Sequence, residues 1–367
     1  MGDSFGLESV LWFANDPKDA YEEPTIKRSR SHDYVSKEVK NVRENVGVTE
    51  IANFSKHEFQ GPDARKFLDY VLAGRIPKPG RICLNPMLTP KGKLYGDLTV
   101  ACLNDDKFIV FGSGAVQEMH RRWFEKHLKD FNLVYKNRSD DFHGLALSGP
   151  KSRDLLQKLV RENISNENFK FRDVKEMYVA GVPAIVNRIS FTGELGYEIY
   201  VAPHFQLKLY EEIENAGKKF GLKPFGGRAL MSMRLEKNWG AWTLDFRPDF
   251  TAKESGLDIF IDWKKDFIGK QSAEKDKSNL KLTPLIIETK DIDVTNNEAI
   301  MKDGKSIGYI TSGGFAHYVK KSIAYSYLDK ETLKTNKKLE VEINGDFYRC
   351  SIIKDPLYDP SGIKMRS

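Results

Sequence analysis

Cysteine is scarce in this 367-residue sequence, which contains Cys83, Cys102 and Cys350 and no others. The number is odd, the positions lie far apart and no C-x-x-C motif is present, so neither a disulfide framework nor a zinc site is predicted. Long apolar runs are missing too, because none approaches the ~18 residues that a membrane-spanning helix requires. The N-terminus also lacks the basic start and apolar core of a signal peptide. We therefore expect a cytoplasmic protein with reduced cysteines and no membrane contact.

A strong excess of one charge is also absent. The sequence has 58 basic and 52 acidic residues, which gives a formal net charge of +6. The densest basic stretch, residues 27–30, is too short for a nucleic-acid-binding arm. A small or medium anionic ligand fits this charge distribution better than a duplex does, and we expect no nucleic-acid partner.

Signatures of metal and dinucleotide sites are missing as well. The seven histidines are scattered, and the only close pair on one predicted element is His120 and His127. No metal site is therefore predicted. Gly112 and Gly114 follow a predicted strand, but Gln117 stands where a dinucleotide-binding G-x-G-x-x-G loop needs its third glycine. Helix capping by Ser113 explains this segment better.

The segments that are present predict an α+β fold. The chain is longer than one core usually serves, and its hydrophobic fraction of 40% allows a sizeable core. Residues 93–103 and 108–111 flank a polar turn and predict a hairpin, and residues 115–131 have the spacing of an amphipathic helix. A second cycle of strands and a helix follows between residues 145 and 201. From residue 281 onward, short strands and turns predict an all-β barrel or sandwich.

Three segments place a charged residue in a glycine-flanked turn or beside apolar neighbours. They are residues 92–100, 190–198 and 233–237, which contain Asp97, Glu194 and Arg234. Strand alternation is expected to put Tyr95 and Asp97 on the face opposite the apolar layer. From the residues alone, a solvated charge or a salt bridge is the more common explanation of each charge.

In order and spacing, several segments resemble the aminomethyltransferase (glycine-cleavage T-protein) family. They are residues 53–56, 92–100, 147–153, 190–198, 233–237, 308–314 and 356–360. Residues 5–8, 12–14 and 358–362 further resemble the C-terminal folate-binding half of dimethylglycine and sarcosine dehydrogenases. The resemblance implies a three-lobed cloverleaf. Two α/β (ferredoxin-like) lobes would occupy residues 1–270, and a C-terminal β-barrel would occupy residues 281–367.

The resemblance also implies tetrahydrofolate as the one-carbon acceptor and a small methylated amine as the donor. Asp97 corresponds to the catalytic acid of the family. Glu194 is expected to bind the two donors on the pterin edge, with Arg234, Tyr95 and Tyr358 lining the same folate site. The dehydrogenases oxidise the amine in an N-terminal flavin domain. Because this sequence has no G-x-G-x-x-G motif, a separate flavin-dependent oxidase is an expected partner.

Two alternatives remain open at this point. One is direct methyl transfer from a quaternary ammonium or sulfonium compound to tetrahydrofolate, which needs an aromatic cage from residues such as Tyr95, Trp239, Trp242 and Trp12. The other is a non-catalytic folate-binding subunit of a flavoprotein oxidase. One departure from the T-protein pattern is also clear, since its doubled Asp-Asp-Leu reads Gly96-Asp97-Leu98 here. This leaves one carboxylate and disfavours the lipoyl-linked aminomethyl donor.

Overall fold

A computed structural model describes residues 1–4, 7–334 and 338–367, without the side chains of residues 3, 4 and 7. Phe5 and Gly6, which belong to the N-terminal motif of the predicted branch, lie outside the described residues. No helix in the described part of the chain is long and apolar enough to cross a membrane.

The described residues form eight α-helices and nineteen strands. The helices are α1 (Ser31–Glu44), α2 (Ala64–Val71), α3 (Gln117–His127), α4 (Ser152–Gln157), α5 (Gln206–Gly217), α6 (Gly227–Glu236), α7 (Lys270–Glu274) and α8 (Lys330–Lys334). The strands are β1 (Gly2–Ser4), β2 (Leu7–Ser9), β3 (Val46–Glu50), β4 (Phe54–Gln60), β5 (Arg81–Leu88), β6 (Leu94–Cys102), β7 (Lys107–Ser113), β8 (Val134–Asn137), β9 (His143–Ser148), β10 (Val174–Val179), β11 (Val182–Asn187), β12 (Gly196–Val201), β13 (Leu222–Pro224), β14 (Leu280–Ile287), β15 (Ala299–Lys302), β16 (Lys305–Ala316), β17 (Lys321–Asp329), β18 (Leu339–Ile343) and β19 (Asp346–Ile352).

The first lobe is a five-stranded antiparallel sheet in the order β5-β6-β7-β4-β8. Apolar side chains of α2 and α3 cover one face, where Phe67 and Phe124 pack against Phe59 and Leu98. The predicted hairpin is formed by β6 and β7. Ser113 precedes a 3-10 turn but its side chain makes no capping hydrogen bond, so the capping interpretation was wrong.

The second lobe is a six-stranded sheet in the order β10-β11-β12-β9-β3-β13. Its helices α4 and α5 cover one face, with Leu155 and Leu209 in the core. Strand β3 precedes the first lobe in the chain but pairs with β9, some 100 residues later. The chain thus forms one strand of the second sheet, then all of the first lobe, and then the remaining strands of the second sheet.

The faces of the two sheets that carry no helices meet in a shared apolar layer. Ala101 and Phe111 come from the first sheet, and Ile185 and Tyr200 come from the second. The rings of Phe111 and Tyr200 stack with their centroids 4.7 Å apart. Residues that precede this layer on β6 and β12 therefore face the space between the lobes.

The last part of the chain closes into a six-stranded barrel in the order β14-β17-β16-β15-β18-β19. It packs against α6 through Leu235, which contacts an apolar cluster with Ile323 and Tyr325. The predicted α+β fold, with two α/β lobes and a terminal β-barrel, is confirmed.

Candidate functional site

Asp97 lies on β6 and faces the space between the lobes, two residues before Thr99 and four before Ala101. Its side chain keeps some exposure to solvent, although protein atoms enclose it on most sides. This burial raises the pKa of Asp97 to about 7, and only a hydrogen bond from its own backbone N–H opposes the shift. An enclosed carboxyl group with a pKa near neutrality is suited to proton transfer.

Glu198 occupies the corresponding position on the facing sheet, two residues before Tyr200 on β12. It too is partly exposed yet enclosed, and burial raises its pKa to about 7. The Tyr200 hydroxyl donates a hydrogen bond to Glu198 Oε2 at 2.9 Å. Asn187 faces the same carboxylate, but among the described residues neither of its buried amide atoms reaches hydrogen-bond geometry with a partner. Glu198 and Asn187 therefore retain binding capacity for a ligand.

Glu194 is placed quite differently from Glu198. It lies in the turn before β12 with 1% of its surface exposed. Its Oε1 accepts a hydrogen bond from Arg43 Nη1 at 3.0 Å and another from the Tyr358 hydroxyl. Arg43 also pairs with Glu236 at 2.6 Å. The carboxylate that was expected to bind the pterin thus lies in a buried network that joins α1, α6 and the C-terminal segment.

Arg234 also lies away from any accessible surface. It is 1% exposed and pairs with Asp245 at 2.9 Å, and it donates a hydrogen bond to Ser312 Oγ at 2.9 Å. These contacts connect α6 with the barrel. The guanidinium group of Arg234, which was expected to line the folate site, is thus paired with an internal carboxylate.

The two tyrosines are not brought together with Asp97. Tyr358 is 6% exposed, its ring lies 3.8 Å from the Arg43 guanidinium carbon, and burial raises its pKa. Tyr95 packs on the α3 side of the sheet, with its ring 4.5 Å from that of Trp123. The prediction that Tyr95 shares a face with Asp97 was wrong, because a β-bulge at Tyr95 interrupts the alternation.

Glu198 was not among the predicted site residues, although it lies in the segment 190–198 that was singled out for Glu194. Tyr197 and Ile199 are fully buried in the core of the second lobe, so alternation along β12 places Glu198 on the opposite face. That alternation was the available signal. The stacked pair of Phe191 and Trp239, with centroids 5.9 Å apart, was not recognisable from sequence because its members come from different segments.

Comparison with known proteins adds to this geometry. The family model described as the GCVT N-terminal domain matches residues 1–265. The model described as the glycine cleavage T-protein C-terminal barrel domain matches residues 281–359. The crystal structure of glycine cleavage system aminomethyltransferase T from Bartonella henselae superposes with a TM-score of 0.81 at 21% identity. The superposition covers 89% of this chain and 90% of that one, so the two share a fold.

Relatives from two branches are similar in sequence. The chain is 36% identical over 365 residues to the mitochondrial dimethylglycine dehydrogenase of Homo sapiens, covering 97% of this chain but 42% of that protein. It is 31% identical over 334 residues to the aminomethyltransferase of Desulfitobacterium hafniense (strain Y51), covering 89% and 91% respectively. The chain thus spans less than half the length of the dehydrogenase and nearly all of the aminomethyltransferase. The predicted resemblance is confirmed, and the chain belongs to the glycine-cleavage T-protein family of aminomethyltransferases.

Proposed function

We propose that this chain transfers a one-carbon unit from a methylated amine, or from its oxidised iminium form, to tetrahydrofolate. The observation that carries the proposal is the pair of enclosed carboxyl groups, Asp97 and Glu198, on facing sheets. Each has a pKa of about 7 caused by burial, and among the described residues neither forms an ion pair. Such groups destabilise a fold without a ligand and are typical of functional sites.

The residues around Glu198 fit the pterin ring of folate. The pterin edge presents an exocyclic amine and a ring N–H side by side, and a carboxylate accepts both hydrogen bonds at once. Glu198 is held for this role by the Tyr200 hydroxyl, and the unpartnered Asn187 amide adds a donor and an acceptor. We therefore propose that Glu198, rather than Glu194, binds the pterin.

Asp97 is the residue proposed to act on the reacting atoms. One nitrogen of tetrahydrofolate attacks the iminium carbon, and a second nitrogen then completes the methylene bridge as the bond from that carbon to the donor amine breaks and the amine leaves. Asp97 would stabilise the positive charge of an iminium donor and accept the proton that a folate nitrogen releases. Its pKa of about 7 leaves it able both to accept and to return a proton near neutral pH.

The proposed donor is an amine of the dimethylglycine or sarcosine type, which the similarity to dimethylglycine dehydrogenase supports. A flavin-dependent oxidase is the proposed source of the iminium.

We also propose a cytoplasmic location. The cysteines at positions 83, 102 and 350 are unpaired, which agrees with this location.

Direct demethylation of a quaternary ammonium compound has less support. Trp12 packs in the cluster around α1 and α6, Trp242 packs in another cluster beside the first lobe, and Tyr95 faces Trp123. Trp239 stacks on Phe191. These four aromatic residues therefore do not converge into a cage.

Anaerobic titration with tetrahydrofolate tests the proposal. We expect Glu198→Gln to weaken binding roughly 10- to 100-fold, because one hydrogen bond to a charged group is worth about 1.5–3 kcal/mol. Asp97→Asn should bind folate within threefold of wild type but form little methylenetetrahydrofolate from dimethylglycine labelled with ¹³C in its methyl groups, supplied with a dimethylglycine oxidase.

Glu194→Gln is the matched control for this titration. We expect it to lower stability while folate binding by the folded fraction is unchanged, because the carboxylate of Glu194 is bonded to the internal side chains of Arg43 and Tyr358. If Glu194→Gln loses folate binding while Glu198→Gln keeps it, our assignment of the pterin carboxylate is wrong. If wild type binds no folate, the transferase proposal fails and a repurposed fold is the better explanation.

A further inference from the structure

Strand β6 is irregular just before Asp97. Leu94 pairs with Leu88 of β5, and Gly96 pairs with Met87, so Tyr95 is an extra residue on β6. This is a β-bulge, which locally bends a strand and changes the direction of the side chains that follow it. Bulges of this kind are frequent next to active sites. The direction in which the Asp97 side chain points therefore depends on this bulge.

The other edge of β6 is open at the same place. Strand β7 pairs with β6 only from Thr99 to Cys102, and the Leu94 N–H donates to Phe250 O. Between these contacts, Tyr95 is paired with no residue of β5 or β7. His120 of α3 takes that place, with its Nε2 2.9 Å from the Tyr95 oxygen. Because the acceptor is a carbonyl, Nε2 must carry the proton.

Two glycines make room for the His120 ring. A Cβ at Gly96 would lie 3.1 Å from His120 Nε2, and a Cβ at Gly112 would lie 3.3 Å from its Nδ1. His120 is 1% exposed, and burial lowers its pKa to about 4, so the ring is neutral at physiological pH. A larger residue at position 96 would displace the ring.

We propose that His120 is a positioning residue, which holds the Tyr95 bulge through its hydrogen bond to the Tyr95 carbonyl and thereby sets the direction of the Asp97 carboxylate. The inference rests on the proposed function, in which Asp97 acts on the transferred one-carbon unit. His120 touches neither substrate nor Asp97 in this role. It acts through two residues of strand backbone.

The test compares His120→Leu, which removes the donor, with His120→Gln, whose amide nitrogen can still donate to the carbonyl. We expect His120→Leu to lower kcat roughly 10- to 100-fold, because small misplacements of a catalytic group have effects of that size. The Kd for tetrahydrofolate should stay within threefold, since Glu198 lies on the other sheet. His120→Gln should recover at least a third of the wild-type kcat.

His57→Leu is the matched control. His57 is a buried neighbour whose ring centroid lies 6.3 Å from that of His120, and its Nδ1 bonds the Tyr135 hydroxyl instead of β6. It should lose thermal stability but keep kcat. If His120→Leu does not fold, Gly96→Ala is the second variant, because the added methyl group displaces the His120 ring while His120 itself is kept. Gly96→Ala should then show the same loss of kcat, with an unchanged Kd for tetrahydrofolate.

The inference is overturned if folded His120→Leu, or Gly96→Ala in its place, turns over within threefold of wild type. It is also overturned if His120→Gln and His120→Leu are equally impaired. Should wild type transfer no one-carbon unit, the proposed function fails by itself. In that case the pKa of Asp97 can be measured by NMR titration of its ¹³C-labelled carboxyl group. An Asp97 pKa that changes in His120→Leu and returns to the wild-type value in His120→Gln supports the positioning role. An Asp97 pKa that is the same in His120→Leu as in wild type excludes it.

Discussion

At the scale of single residues, the site is set by what surrounds each carboxylate. Glu194 and Glu198 are four positions apart in one segment, yet one lies in a buried ion pair and the other faces the space between the lobes. The sequence motifs identify Asp97 and the segment that contains both glutamates, but they do not show which glutamate is free to bind the pterin. That choice depends on Arg43 and Tyr358, which reach Glu194 from distant parts of the chain.

The raised carboxyl pKa values predict how activity depends on pH. Asp97 must be ionised to accept a proton, and Glu198 must be ionised to accept two hydrogen bonds from the pterin. Because burial raises both pKa values to about 7, each carboxylate is lost as the pH falls through 7. We therefore expect kcat/KM to rise steeply between pH 6 and 7.5 and to level off above that range.

Steady-state rates with the dimethylglycine oxidase in excess measure this profile. In Glu198→Gln one of the two ionisations is removed, so the slope on the acid side should become shallower. A flat profile from pH 5.5 to 8 in wild type would mean that neither carboxylate titrates in that range during catalysis.

At the scale of elements, sequence patterns located the helices and strands but not their irregularities. The hairpin predicted at residues 93–103 and 108–111 is formed by β6 and β7. The helix predicted over residues 115–131 is shorter, since Gly114–Val116 is a 3-10 turn and α3 ends at His127. Gly114 allows this turn, because a Cβ there would lie 2.0 Å from Asn53 O. The bulge in β6 was not predictable, because α3 supplies the histidine that holds it.

The contact of α1 with its neighbours gives a prediction about stability. Arg43 is buried and pairs with both Glu194 and Glu236. Replacing Arg43 with Met keeps much of the side-chain volume but leaves two buried carboxylates without a cation. We expect a loss of about 3–5 kcal/mol in the free energy of unfolding, measured by urea denaturation.

Tyr358→Phe is the comparison for this measurement. It removes the hydrogen bond that Tyr358 donates to Glu194 and the one that it accepts from Lys364, and it leaves the Arg43 pairs intact, so it should lose only about 1–2 kcal/mol. Equal losses in the two variants would show that the ion pairs add nothing beyond the packing of the segment.

At the scale of the whole molecule, the sequence predicted the parts but not how the chain connects them. The division into residues 1–270 and residues 281–367 remains a proposal about domains. Strand β3 pairs with β9 across the entire first lobe, and no local pattern encodes such a distant partner. The site depends on this connection, because it joins the sheet of Asp97 to the sheet of Glu198.

The last prediction concerns the interface between the barrel and the part of the chain that precedes it, residues 1–270, which we call the body. Asp245 accepts hydrogen bonds from Arg234 at 2.9 Å and from the Thr311 and Ser312 hydroxyls of β16 at 2.5 and 2.8 Å. All four side chains are buried, so breaking this cluster is costly. We therefore expect the body and the barrel to unfold together in wild type, and Asp245→Asn to separate them.

Two probes can distinguish the two parts. All five tryptophans lie at or before residue 263, so tryptophan fluorescence reports the body alone. Hydrogen exchange of peptides from β16 and β17 reports the barrel. In wild type the two urea transitions should coincide, and in Asp245→Asn the barrel should lose protection at lower urea than the body unfolds. Thr311→Val removes one hydrogen bond but keeps the Arg234 pair, so its transitions should still coincide. Separate transitions already present in wild type would mean that the buried cluster orients the barrel without coupling its stability to the body.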